Sequence, residues 1–464
     1  MRGSVLRRDV LKGALGAAAL TSVPVRGSAG ESGGREFTPE RHGFGFPNWS
    51  SQRQPFEMPE SIPEPSPEAI RERVRTEWAE RGTGLLGVDF GRGPPGLLDA
   101  LTAQLHAAIV QRAGTNGHCY GMALAAQAYF EQPETLPIDR ESAAEIRHPT
   151  EPVETPDAPI YDAIVSLQAE QFLRFRAWLG RRALLWPDRI DVDAQLDDVR
   201  AVIDVFGTAQ VSVFDGRTSG HQVLAYDYEE RRNGVSVRVY DPNYRASTYG
   251  RATRAIEFEE TADGLAMQPY DKYERVLFNR HDRIEAATDR ATVTPLDHVD
   301  VGAEELRESV FPLALVTVDT QDVDLALVDP NGRRLGRLGS DFMDRSRGSV
   351  VRLRSAYGAD PGTYRVRLYG HRATPYELQV RIAGPDGTRL STSHAARIET
   401  GETQEFAATV PDAPDGTGTF EPVERRIGRL PLAVGAASGG AALGAGAHYL
   451  WRRHRDDGGD EERG

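Results

Sequence analysis

Apolar residues recur at helical spacing along the first half of the chain and at alternate positions along the second. The helical periods fall at about 67–80, 97–112, 119–131, 160–180 and 194–205. Ser66-Pro67-Glu68 marks the first helix start, with Ser as cap and Pro at the first helical position. Short β-rich runs follow at 209–214 (AQVSVF), 222–228 (QVLAYDY), 235–240 (VSVRVY) and 254–258. Helices followed by a sheet predict an α+β domain, not alternating βαβ units.

Residues 286–305 turn polar and acidic and read as a linker. Beyond them nearly every segment alternates with period two, as in LALVTVD, VDLALVD, VVRLRS, TYRVRLYG and YELQVRI. Pro-Asn-Gly, Asp-Pro-Gly and Pro-Asp-Gly turns separate these runs. The pattern predicts an all-β sandwich over 306–412, able to fold by itself. It resembles the accessory, pre-peptidase-type β-sandwich found C-terminal to many secreted peptidases. Asp322, Asp324 and Asp329 lack the glycine spacing of a calcium loop and read as solvated strand-end carboxylates, so no metal is expected. Ahead of the first helix, residues 30–66 read as an extended lead-in whose one aromatic cluster is HGFGFPNW, 42–49.

Both ends of the chain suggest a membrane route. Arg7-Arg8, an apolar Ala-rich run and Gly27-Ser28-Ala29 resemble a twin-arginine-type signal peptide over 1–29. A second linker, 413–429, leads to LPLAVGAASGGAALGAGAHYLW, 430–451. That is long enough for a transmembrane helix, which needs about 20 apolar residues. Tyr449 and Trp451 stand where interfacial aromatics sit, and Arg452, Arg453 and Arg455 begin a charged cytoplasmic tail, 452–464. The expectation is an exported cell-surface protein with one C-terminal anchor in the plasma membrane.

Composition narrows the partners. The chain carries 69 acidic and 55 basic residues, a formal charge of −14, and Lys12 and Lys272 are its only lysines. Such acidity argues against nucleic acid as partner. In composition the chain resembles the exported proteins of salt-loving archaea. Its single cysteine, Cys119, excludes an internal disulfide and any CxxC zinc site.

Cys119 opens the predicted helix in GTNGHCYGMALAAQAYF. A helix start lowers a thiol pKa and offers unpaired N–H groups for an oxyanion. His118 is adjacent in sequence and badly directed to act as base. His221 is the better candidate, in SGHQVLAYDYEERRNGVSVRVYDPNYR. A hairpin centred near 232 sets residue 221 opposite about 243, on the face shared by Asp241 and Asn243. A carboxylate or an amide then stands beside the imidazole, as a thiol–imidazole pair requires.

GHCYGMA followed by GHQVLAYDY and VRVYDPN resembles the papain-like cysteine peptidases, especially the bacteriocin-processing, double-glycine-leader branch. The resemblance covers 114–260 and implies a papain-like helix-plus-antiparallel-sheet domain, placed here at 67–285. It implies Cys119 as nucleophile, His221 as general base and acid, and Asp241 as orienter, with Asn243 the alternative. One departure concerns the oxyanion hole. Papain-like enzymes carry a Gln shortly before the Cys, and the matching position here is Ala113; Gln111 and Asn116 are the nearby amides. The expected function is a surface cysteine peptidase or acyl-transfer hydrolase acting, without a cofactor, on a peptide or cell-envelope substrate. The alternatives are a catalytically silent protein that binds peptide or glycan in the same cleft, and a transglutaminase-type envelope crosslinker.

Overall fold

A computed structural model describes residues 36–50, 65–78 and 95–427, apart from 116, 137–139, 152–158, 216–219, 279, 289, 291–296, 336–341, 345–348, 386–387 and 414–415. The expected signal peptide (1–29), membrane span (430–451) and tail (452–464) lie outside the described residues. Among those described, no helix is long and apolar enough to cross a membrane.

The chain is α+β. Its helices are α1 (Pro39–His42), α2 (Pro67–Arg73, running into a π-helical turn Val74–Trp78), α3 (Pro95–Thr115), α4 (Cys119–Glu131), α5 (Pro159–Leu173), α6 (Phe175–Gly180) and α7 (Val192–Phe206). The cap read from the sequence at Ser66 is present, and the structure adds one at Asp191. The Ser66 hydroxyl accepts from the Ala69 N–H at 3.2 Å, and Asp191 caps α7 through the Ala194 N–H at 2.9 Å. Gly207, at φ 74°, ends α7 in the left-handed region where glycine carries no Cβ penalty.

An antiparallel sheet follows, made of β1 (Ala209–Phe214), β2 (Gly220–Arg231), β3 (Gly234–Tyr240), β4 (Ala255–Thr261), β5 (Gly264–Met267) and β6 (Arg275–Phe278). Its strand order is β5-β4-β3-β2-β1-β6. Alternation along β2 divides its faces. Val223 and Ala225 join Leu196, Val199 and Val202 of α7, whereas Leu224 joins Met122 of α4 and Ile164 of α5. The sheet is therefore covered on one face by α4, with α5 packed against α4, and on the other by α7.

After α8 (His281–Thr288) and α9 (Ala303–Val310) come the strands β7 (Leu313–Asp319), β8 (Val323–Val328), β9 (Arg334–Leu335), β10 (Phe342–Asp344), β11 (Ser349–Ala356), β12 (Gly362–Gly370), β13 (Thr374–Ala383), β14 (Thr388–Ile398), β15 (Glu402–Val410) and β16 (Thr419–Ile427). They form two antiparallel sheets, β10-β11-β7-β13-β14 and β16-β15-β12-β8-β9. Val316, Val318, Val366 and Leu368 are among the residues packed between the two.

Four expectations change. The lead-in is not extended throughout: Phe37, Phe44, Phe46 and Trp49 are buried against α4 and Tyr240, since each aromatic ring carries a large apolar area whose removal from water is favourable. The linker at 286–305 is docked where it is described. Ile190 bridges to Val299, and the Asp191 N–H donates to the His298 carbonyl at 2.8 Å. Much of the second linker, 413–429, is β16, paired with β15, so the sandwich runs to Ile427. Asp329 is not solvated but buried in its turn, accepting from the Arg333 N–H at 2.7 Å and pairing with its guanidinium at 2.6 Å.

The expected division into two cores also gives way. Leu313 and Leu315 of β7, with Val351 and Leu353 of β11, share one cluster with Leu101 and Leu105 of α3 and Trp178 of α6. That sheet is covered on both faces, by its partner sheet and by helices.

Candidate active site

Cys119 is the first residue of α4, half-buried, with His118 as the N-cap residue. A helix leaves four N–H groups at its start without a partner in its own turn. Asn48 Oδ1 accepts that of His118 at 2.7 Å, and Gln168 Oε1 accepts that of Gly121 at 2.7 Å. Those of Cys119 and Tyr120 belong to the same turn as the thiol. Gln168 also donates to the Gly117 carbonyl at 3.2 Å, which holds the loop before the helix. Gly121 lets α4 approach α5: a Cβ there would overlap the Ile164 carbonyl oxygen. His118 does not act on the thiol; its ring stacks on Trp49, centroids 4.4 Å apart.

His221 stands near the start of β2. Below the Tyr226 bulge, Arg231 pairs with Gly234; above it, Leu224 pairs with Tyr240. The bulge shifts the register by one residue, so continuing the ladder sets residue 221 opposite 243, the match expected from the hairpin. The strand β3 stops where Pro242 has no N–H to offer, and the Pro242 carbonyl accepts from the Asn48 N–H at 2.7 Å. Released from a neighbouring strand on that side, the Gln222 N–H donates to the Cys119 sulfur.

The thiol and the imidazole are in hydrogen-bond contact. His221 Nε2 lies 2.7 Å from Asp241 Oδ1 and 3.2 Å from Asn243 Nδ2. With Nε2 so occupied, Nδ1 is the ring nitrogen left for the thiol. Asp241 is buried and saturated: Oδ1 also accepts from the Asn243 N–H at 2.8 Å and Oδ2 from the Tyr270 hydroxyl at 2.8 Å. Tyr249 fixes the Asp241 backbone, its hydroxyl accepting from that N–H at 2.6 Å. Tyr273 stacks on the imidazole, centroids 5.9 Å apart.

Charge follows from this packing. Burial pushes the Cys119 thiol up, but the His221 charge and hydrogen bond, with the Gln222 N–H, bring it below its ordinary value. Burial pushes His221 down, and the facing thiolate and Asp241 overcome that and raise it. Burial raises Asp241, while its bonds to His221, Asn243 and Tyr270 hold it below the usual carboxylate range. The arrangement favours a thiolate–imidazolium pair steadied by a carboxylate.

Cys119, His221, Asp241 and Asn243 thus come together. Asn116 and the Gln111 side chain lie outside the described residues, although Gln111 itself falls within α3. Asn48, Gln168, Tyr249, Tyr270 and Tyr273 were not legible as site residues; only HGFGFPNW, which contains Asn48, carried a signal, as an aromatic cluster. Among the described residues no group of three or more His, Cys, Asp or Glu is placed to hold a metal ion. Comparison with known protein families, curated proteins and solved structures finds no match to this chain.

Proposed function

We propose that the chain is a cell-surface, membrane-anchored cysteine peptidase or acyl-transfer hydrolase with a papain-like arrangement of helix, sheet and triad. One observation carries the reading: the Cys119 thiol meets an imidazole whose far nitrogen is held by the buried Asp241 carboxylate. In the reaction, the Cys119 thiolate adds to the carbonyl carbon of a peptide or cell-envelope amide, and the carbonyl π pair moves onto oxygen. The N–H groups of Cys119 and Tyr120 are the donors available for that oxyanion. As the intermediate collapses, the C–N bond breaks and the His221 imidazolium gives its proton to the leaving amine. Water then attacks the thioester, yielding a proton to His221, and the acid leaves as the thiol pair is restored. Asp241 holds the ring and stabilises its cation without taking the proton.

A second reading, a silent protein that binds peptide or glycan in the same cleft, draws its support from Ala113, which stands where papain-like enzymes use Gln. An electrophilic thiol probe applied in high salt separates the two. The enzyme reading expects labelling at neutral pH, loss of label in Cys119→Ala, and turnover of a peptide or ester substrate. A folded protein that labels no faster than a free thiol returns the chain to the binding reading.

A further inference from the structure

Asn48 touches both halves of the site. Its Oδ1 accepts from the N–H of His118, the residue before the nucleophile, at 2.7 Å. Its Nδ2 donates to Asn243 Oδ1 at 3.1 Å. Gly117 makes room for this amide: a Cβ there would lie 2.6 Å from Asn48 Nδ2.

Which end of an amide is oxygen and which is nitrogen is set by its partners. A backbone N–H can only donate, so Asn48 must turn its oxygen to His118. Its nitrogen then faces Asn243, which must turn its own oxygen to receive it. That leaves Asn243 Nδ2, a donor, 3.2 Å from His221 Nε2. The Asp241 carboxylate, 2.7 Å away, favours a proton on Nε2, and the amide N–H opposes one.

We propose that Asn48 is a positioning residue for the His221 imidazole: acting through Asn243, it turns an amide N–H instead of an amide oxygen toward Nε2 and so moderates the hold of Asp241 on the imidazolium. The inference rests on the reading of Cys119 and His221 as nucleophile and base. Its chemical value lies in the second half of that reading. An imidazolium held too firmly gives up its proton slowly to the leaving amine, and an opposing dipole at Nε2 eases the transfer. Asn48 also ties the loop that carries the nucleophile to the segment that carries the third member of the triad. The other groups around the ring do not duplicate this role. Cys119 faces it from α4, Asp241 from the end of β3, and Tyr273 from the connection before β6. Tyr270 acts on Asp241, and the Lys272–Asp215 pair lies beyond Tyr273.

The test is the pH dependence of iodoacetamide alkylation, read at the one thiol of the full chain in high salt, with His221 followed by NMR in a Cys119→Ser background. Asn48→Leu keeps the side-chain shape and frees Asn243 to turn its oxygen to Nε2. The acid limb of alkylation should move to lower pH, and the His221 titration to higher pH, by about half a unit or more. Asn243→Leu should move both the same way, and the double variant no further than Asn243→Leu alone. Should Asn48→Leu not fold, Asn48→Asp keeps the acceptor for His118 and forces Asn243 to turn; its shift should vanish in the Asn243→Leu background, whereas a direct charge effect would persist. Folded variants with unmoved limbs overturn the inference, as does additivity with Asn243→Leu. If wild-type Cys119 alkylates like a free thiol, the nucleophile reading falls and this inference with it; a shifted wild-type limb that ignores Asn48 sinks the inference alone.

Discussion

At the scale of single residues, the His221 ring joins the chemistry to the scaffold: Cys119 lies at one nitrogen, Asp241 and Asn243 at the other, and Tyr273 over its face. Since Cys119 is held below its ordinary value, its alkylation should stay fast well under the free-thiol pKa of about 8.5. His221→Ala removes the cation that stabilises the thiolate, so the profile should return toward that value, with a rate loss of about tenfold or more near pH 6. Asp241→Asn should move the profile less, because the carboxylate orients the ring without sharing its proton. Stability should follow pH with two opposite signs. Asp241 has a depressed folded pKa, so its contribution is present above its unfolded value and fades as pH falls through the folded one. His221 has a raised folded pKa, so its contribution is complete below about 6.5 and is lost as pH climbs to its folded value. Urea midpoints measured against pH in wild type and in Asp241→Asn check the acid side: the variant should lose the Asp241-dependent part of the slope.

At the scale of elements, α4 is useful because it can come close. It packs on α5 through Gly121, whose missing Cβ lets the Ile164 carbonyl approach, and Gln168 of α5 caps its first turn. Gly121→Ala should therefore push the helices apart at the end that carries Cys119. The expected cost is about 1–3 kcal/mol of stability, with a fall in thiol reactivity as the first turn loses register with β2. Equilibrium unfolding gives the first and alkylation rate the second; a variant as stable and as reactive as wild type would refute the close-approach account. The helix was legible from its apolar spacing and the hairpin from its turn, since both patterns are written in neighbouring residues. The Tyr226 bulge was not. It arises where Tyr226 packs near Phe37, at 5.7 Å between centroids, a contact that no local period encodes.

At the scale of the whole molecule, the sandwich and the helices share buried surface. Gln104 of α3 reaches Ser355 of β11 at 3.0 Å, and the Arg182 guanidinium lies 4.1 Å from the Tyr357 ring centroid. A fragment of 301–427 would expose Leu313, Leu315, Val351 and Leu353, and one ending at 411 would also lose β16. Such fragments should bind hydrophobic dyes and aggregate, while 36–427 should unfold in a single calorimetric transition. Two well-separated transitions would restore independent domains. The membrane route has its own test. Replacing Arg7-Arg8 by Lys-Lys should hold the precursor inside the cell, and deleting 430–464 should release the protein into the medium; a truncated form that still pellets with membranes refutes the anchor.

The sequence alone determined what short-range order can carry. Helix periods, turn residues and alternation named most of the elements, and the order Cys119, His221, Asp241 with the hairpin turn near 232 brought the triad within reach. The run LALV, 313–316, reads as part of an alternating strand, yet all four of its residues are buried, because helices cover the face that alternation would have left to solvent. Tertiary structure alone decided the rest. Asn48 lies 195 residues from Asn243 and 70 from His118, and Tyr270 lies 29 from Asp241. At such separations no spacing rule applies; which polar groups meet depends on how buried aromatic residues fold 36–50 back onto α4. The same long-range packing joined the two expected domains, because an apolar residue announces that it will be buried but not against which surface.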